Sequence, residues 1–184
     1  MLNPPARCAE CGFEAATVDP GNGESTVRAV GRRFQAPLTR PLPGEDLDQI
    51  LRSRPDPDTW SALEYAAHVR DVIALWGSTL HLALNQDRPH LPLPEPDIAD
   101  RLATDSAYNQ QDPVTVAHEL SANAERMAAK IATIEPAPDQ WDRTVVIGDE
   151  EMSALAIVRK VAHEGGHHLL DVGRCLRAAR ARRA

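Results

Sequence analysis

His163-Glu164-Gly165-Gly166-His167-His168 lies inside a longer run in which Leu155, Val158, Ala162, Gly165, Leu169, Val172 and Leu176 recur every three or four residues. That period marks an amphipathic α-helix, and Ser153 stands where its N-cap belongs. On such a helix His163 and His167 differ by about 40° in rotation and ~6 Å in rise, so both imidazoles leave one face. Two imidazoles that close suit one divalent ion, which needs neutral nitrogen donors in a fixed cone. The pair sits at the border of the apolar stripe. The fold therefore turns on which other helices bury that stripe, and the function on where a third ligand comes from.

Three more long helices can be read upstream. Val27, Val30 and Phe34 step by three and four residues from about Ser25, and Pro37 should end that helix. Ser61 followed by Glu64 is a capping box, with Trp60 at the staple position. Ala62, Ala66, Val69, Ile73, Trp76, Leu80 and Leu84 then form one stripe, ending near Asp87. Asp112-Pro113 opens a third helix marked by Val116, Leu120, Ala124, Met127, Ile131 and Ile134, with prolines at 136 and 138 to stop it. A short helical turn at Leu47, Ile50 and Leu51 and a short strand or extended segment with a turn at 144–149 complete the pattern. Residues 88–111, with four prolines, form a long crossover that should be functional or cover something. The result is an all-α four-helix bundle over residues 23–184. Residues 1–22 form an irregular arm carrying Cys8-Ala9-Glu10-Cys11.

Composition agrees with packed helices. The 184 residues are 42% hydrophobic but only 4% aromatic, which suits close helix contacts better than sheets. A net charge of −7 argues against general nucleic-acid binding. The longest apolar runs are too short for a membrane span, no signal peptide is evident, and the three cysteines form no secreted disulfide framework. A cytoplasmic location is expected, and acidic pI with apolar helix edges is compatible with a homodimer.

His68 occupies the same border position on the second long helix as His163 and His167 do on the fourth. If the two helices face each other, three imidazoles converge inside the bundle, and His68, His163 and His167 become the metal ligands. His168, turned 100° from His167, belongs at the pocket rim, while His81 and His118 lie on polar faces and His90 in a loop. Asp71 and Asp171 each stand one turn beyond a histidine, placed either to hold an imidazole N–H or to form bundle-edge salt bridges. Residues 163–167 also spell His-Glu-x-x-His, in which Glu164 would be the general base of a zinc peptidase. No glutamate follows it, and Leu170 and Gly173 break the extended peptidase pattern. Cys8 and Cys11 supply two thiolates. These can serve a structural or partner-completed metal site, a redox pair or a plain turn, and Cys175 is expected to pack as a small apolar residue.

Trp60-Ser61-Ala62-Leu63-Glu64-Tyr65-Ala66-Ala67-His68-Val69-Arg70-Asp71-Val72 resembles the helix-two signature of the DinB-like superfamily, which includes metal-binding domains of mycothiol- and bacillithiol-dependent transferases and isomerases, among them the maleylpyruvate isomerase type. His163, His167, His168 and Asp171 resemble its helix-four signature, and Cys-x-x-Cys-Gly-Phe at 8–13 is similar to the arm of an actinobacterial subgroup. By that resemblance the family's three metal histidines fall on His68, His163 and His167. It also implies a bundle, often dimeric, with zinc or another divalent ion (nickel, iron, manganese or cobalt) and an open coordination position. Gly165-Gly166 departs from the family, since bulkier residues are usual there. Each glycine costs about 1 kcal/mol relative to alanine in a helix, so a close helix approach or pocket space should compensate.

The expected activity is transfer of a low-molecular-weight thiol, mycothiol-like by resemblance alone, to an electrophilic small molecule. A thiol bound at the ion would lose its proton near neutral pH. Glu164 is the candidate acid/base group, and Tyr65, Trp76 and His168 are candidate pocket residues. The alternatives are a non-catalytic, metal-stabilised binding module and a zinc-dependent hydrolase using Glu164.

Overall fold

The computed structural model describes residues 2–135 and 138–182. Its elements are α1 (Gly23–Thr39), α2 (Leu47–Arg52), α3 (Ala62–Asn85), β1 (His90–Leu91), α4 (Ile98–Asp105), α5 (Pro113–Ile131), α6 (Pro138–Trp141), β2 (Thr144–Ile147), β3 (Glu150–Ser153) and α7 (Ala154–Ala181). The four long helices are α1, α3, α5 and α7, and each packs on two of the others in the cyclic order α1, α5, α3, α7.

Cross-helix contacts fix the directions. Trp60, just before α3, takes a hydrogen bond from Cys175 near the end of α7, whereas Arg143, before α7, donates to Ala83 near the end of α3. These two helices are antiparallel. Arg28 pairs with Glu125 and Gln35 donates to the Ala117 carbonyl, so α1 and α5 are antiparallel too. Asn123 bonds the Arg70 carbonyl and Lys130 that of Gly77, which makes α3 and α5 parallel neighbours. Consecutive long helices running parallel need a connection as long as a helix, and residues 86–112 supply it. That link is more structured than the proline content suggested. It holds β1, α4 and a 3-10 turn at Tyr108–Gln110. β1 adds in parallel to β2, and β2 pairs antiparallel with β3 around the turn at Gly148-Asp149.

The helix starts follow the sequence signals. Ser61 Oγ accepts the Glu64 N–H at 3.2 Å, and the Glu64 carboxylate accepts the Ser61 N–H at 2.8 Å. Asp112 caps α5 through the Thr115 N–H at 2.7 Å, and Ser153 caps α7 through the Ala156 N–H at 3.1 Å. Two ends differ from expectation. α1 continues through Pro37 to Thr39, because a proline in the last turn loses only its bond to the Arg33 carbonyl, and Arg40 N–H closes on Ala36. α5 stops at Ile131, yet Ile134 stays buried by turning back so that its N–H reaches the Ile131 carbonyl. Pro136, expected to stop that helix, lies outside the described residues.

Gly165 sits in the parallel contact between α1 and α7. A Cβ there would come within 2.5 Å of Val30 Cγ1, closer than two carbons can approach, so only glycine permits this helix spacing. A Cβ on Gly166 would meet nothing within 4 Å. The close approach accounts for the first glycine and open space surrounds the second. Among the described residues, no helix is long and apolar enough to cross a membrane.

Candidate metal centre

α7 offers two faces of histidines, because positions 163 and 167 lie about 100° around the helix from 164 and 168. Each face meets a different part of the chain. The 164/168 face looks onto α3, and the 163/167 face is covered by the N-terminal arm. Among the described residues, three groups of metal-type donors lie within 4.8 Å of one another: His68, Glu164 and His168; Cys8, Cys11, His163 and His167; and His167, His168 and Asp171. The three histidines joined in the sequence reading are thus divided between two groups. His68 meets Glu164 and His168, while His163 and His167 turn toward the cysteines.

On the α3 face, Glu164 Oε2 lies 3.3 Å from His168 Nε2 and 3.9 Å from His68 Nε2. Donors bound tetrahedrally at about 2.0–2.1 Å stand about 3.4 Å apart, so these spacings fit one ion with little adjustment. The other carboxylate oxygen, Oε1, is held by Lys160 Nζ at 3.0 Å. Burial pushes the Glu164 carboxyl toward protonation, but hydrogen bonds from His168 and His68 and the charge of Lys160 outweigh it, leaving an ionised carboxylate well below the usual range. Burial likewise pulls His168 down, and its bonds to Asp171 and Glu164 reverse that, raising it to about 9. Asp171 faces His168 Nδ1 at 3.0 Å, which leaves Nε2 for the centre of the group. The supporting role expected of Asp171 is therefore directed at His168, with His167 Nε2 farther off at 3.8 Å.

The other anticipated pocket and support residues divide in the same way. Tyr65 stacks on His168 with ring centroids 5.3 Å apart, and burial first, then the charge of Asp171, pushes its phenol up to about 12. Tyr65, Asp171, Arg174 and Cys175 line a pocket of about 370 Å³ next to His168. Trp60 adds an edge-on contact to His68 at 5.3 Å. Trp76 is buried in the core instead, with no ring contact to a histidine among the described residues. Asp71 turns away from His68. It accepts from the Tyr108 hydroxyl at 2.6 Å and from Arg70 at 2.8 Å, bracing the crossover against α3. A wider cleft of about 510 Å³ between Asp48, Arg52 and Arg182 contains no histidine.

On the arm face, Cys8 Sγ lies 3.6 Å from His167 Nδ1. The Cys8 thiol is drawn down to about 6, first by the Cys11 backbone N–H and then by the neighbouring His163 ring. Cys11 shifts the opposite way because of burial. Cys175 is buried and donates to the Trp60 carbonyl, packing as expected.

Two patterns in the sequence point to this arrangement. Glu164 and His168 repeat the four-residue spacing of His163 and His167, so either pair could have faced α3. And Cys-x2-Cys at 8–11 together with His-x3-His at 163–167 is a complete set of four donors.

The sequence model of the DinB superfamily matches residues 26–172. The chain belongs to the DinB superfamily. That span takes in α3 and α5 whole, most of α1 and α7 and the whole of the His68, Glu164 and His168 group, and it leaves out the arm. Among solved structures this DinB-superfamily chain is similar to YfiT from Bacillus subtilis, with 16% identity and a TM-score of 0.66, over 84% of this chain and 86% of that one. YfiT is described as a probable metal-dependent hydrolase with an unusual four-helix bundle topology. The likeness supports the fold. No curated protein matches the chain.

Proposed function

We propose that this DinB-superfamily chain is a metal-dependent enzyme that transfers a low-molecular-weight, mycothiol-like thiol to an electrophilic small molecule. His68, Glu164 and His168 hold the divalent ion. The observation that carries this reading is the convergence of three donors from two helices, 3.3 and 3.9 Å apart about one carboxylate oxygen. A divalent ion bound by three protein donors keeps an open position and lowers the pKa of a nucleophile bound there.

The remaining work falls to the protein. Lys160 holds one oxygen of Glu164, so the other faces the two imidazoles. Asp171 fixes the His168 tautomer from outside. Tyr65 walls the pocket beside His168, and Arg174, bonded to Asp171 at 2.9 Å, places a cation at its edge for an anionic portion of a substrate. Glu164 in this arrangement is a ligand rather than a free base, which removes the role a zinc peptidase would give it.

The test is thiol consumption by the zinc-loaded chain across a panel of electrophiles, with His68→Ala as control. Metal-dependent turnover lost in that variant supports the proposal, and turnover unchanged by it overturns the proposal. A second reading is hydrolysis, with water as the nucleophile. Two histidines and a glutamate also hold zinc in hydrolytic enzymes, and the YfiT description names that class. Ester or amide turnover without thiol would favour it.

A further inference from the structure

Cys8, Cys11, His163 and His167 bring two thiols and two imidazoles within 4.8 Å of one another, and they share no residue with His68, Glu164 and His168. We propose that these four side chains form a second metal site, a closed tetrahedral zinc centre that fastens the N-terminal arm onto α7. The site stands independently of the proposed activity.

Geometry supports the donor set. With zinc–sulfur bonds of about 2.3 Å and zinc–nitrogen bonds of about 2.0–2.1 Å, tetrahedral angles put sulfur and nitrogen about 3.6 Å apart. Cys8 Sγ and His167 Nδ1 are separated by 3.6 Å. Both ring nitrogens of His163 are buried with no hydrogen-bond partner, while the ring packs against Phe13 with centroids 5.1 Å apart. A buried imidazole without a partner is costly, and a bond from one nitrogen to a cation would relieve it. Thiolate and imidazole donors in a tetrahedral set favour zinc over harder ions.

The loop is already shaped for the task. Cys8 N–H bonds the Phe13 carbonyl at 2.8 Å, Gly12 N–H bonds the Cys8 carbonyl at 3.0 Å, and Ala15 N–H bonds the Ala6 carbonyl at 2.9 Å. Gly12 has a φ of +72°, a left-handed turn that points the chain back on itself. The backbone, not a disulfide, holds the two thiols on one side, for both cysteines are free. Four protein donors leave no position for a substrate, so the role is structural. The arm then carries Glu10 to Arg174, 3.5 Å away at the edge of the pocket, which links the clamp to the neighbouring site.

The experiment uses the full chain purified anaerobically with Zn²⁺, comparing the parent, His68→Ala and the double variant Cys8→Ser/Cys11→Ser. X-ray absorption at the zinc edge of His68→Ala should show one zinc per chain with two sulfur and two nitrogen neighbours. The double variant should lose that equivalent and keep the one that depends on His68, and cobalt loading should give a sulfur-to-cobalt charge-transfer band in the parent and in His68→Ala but not in the double variant. A zinc shell without sulfur, a Cys8–Cys11 disulfide in the zinc-loaded chain, or full zinc content in the double variant would overturn the proposal. Should the double variant fail to fold, the sulfur count in His68→Ala decides alone. A parent that holds only the sulfur-bound equivalent, with no zinc lost on His68→Ala, would sink the enzymatic reading and leave this one standing.

Discussion

Oε2 of Glu164 stands 3.3 Å from Nε2 of His168, one turn further along the same helix, and both face His68 on α3. Without an ion this is an ion pair between an ionised carboxylate and an imidazole raised to about 9. With one, the same atoms are donors. Glu164→Gln keeps the shape and removes the charge that offsets the cation. Support-shell substitutions weaken metal sites by roughly 10–100-fold, and a ligand substitution should cost at least about tenfold. Zinc titration followed by calorimetry checks this, and an unchanged affinity at the His68-dependent site would refute the assignment of Glu164 as a ligand.

The two adjacent glycines should respond in opposite directions. Gly165→Ala drives a methyl into Val30 across the α1–α7 contact. Overpacking of this kind costs about 1–3 kcal/mol. Gly166→Ala meets open space and gains helix propensity, worth up to about 1 kcal/mol. Urea melts of the two variants test the pair, and equal effects would show that α1 and α7 are not in close contact at this point.

Glu64 gives a pH prediction away from the metal residues. Its carboxylate is nearly inaccessible, at 3% exposure, and pairs with Arg54 and the Ser61 N–H. Burial raises its pKa, but Arg54 and Ser61 together hold it below 4.5. A depressed carboxylate stabilises the fold above its unfolded value and loses that contribution as pH falls through its folded value. The parent should therefore lose stability below about pH 4.5 more steeply than Glu64→Gln, which lacks this titration. Denaturation midpoints between pH 3 and 7 give the comparison, and parallel curves would contradict it.

Ser61→Ala removes the other half of the same capping box, along with a 2.8 Å contact to Asn109. A lost N-cap costs about 1–2 kcal/mol. Thermal melts should show that loss with the helix content of the folded state retained.

The bundle was legible because its determinants are local. Ser61, Asp112 and Ser153 announce helix starts by side-chain chemistry alone, and the apolar stripes after them set the buried faces. The crossover at 86–112 was less so, since β1 forms only by pairing with β2, more than fifty residues away. The site was half legible. Four-residue spacing identifies which side chains share a helical face, but Glu164/His168 and His163/His167 satisfy it equally. Only packing decides which pair meets α3. The arm's position on the other face is a tertiary fact of the same kind, and it separates His163 and His167 from His68.

Anomalous diffraction at the zinc edge, from crystals of the zinc-loaded full chain, tests the central claim most directly. The expected result is a peak bounded by His68, Glu164 and His168 with a further position open toward solvent. No peak there, or one shared by His68, His163 and His167, would contradict it.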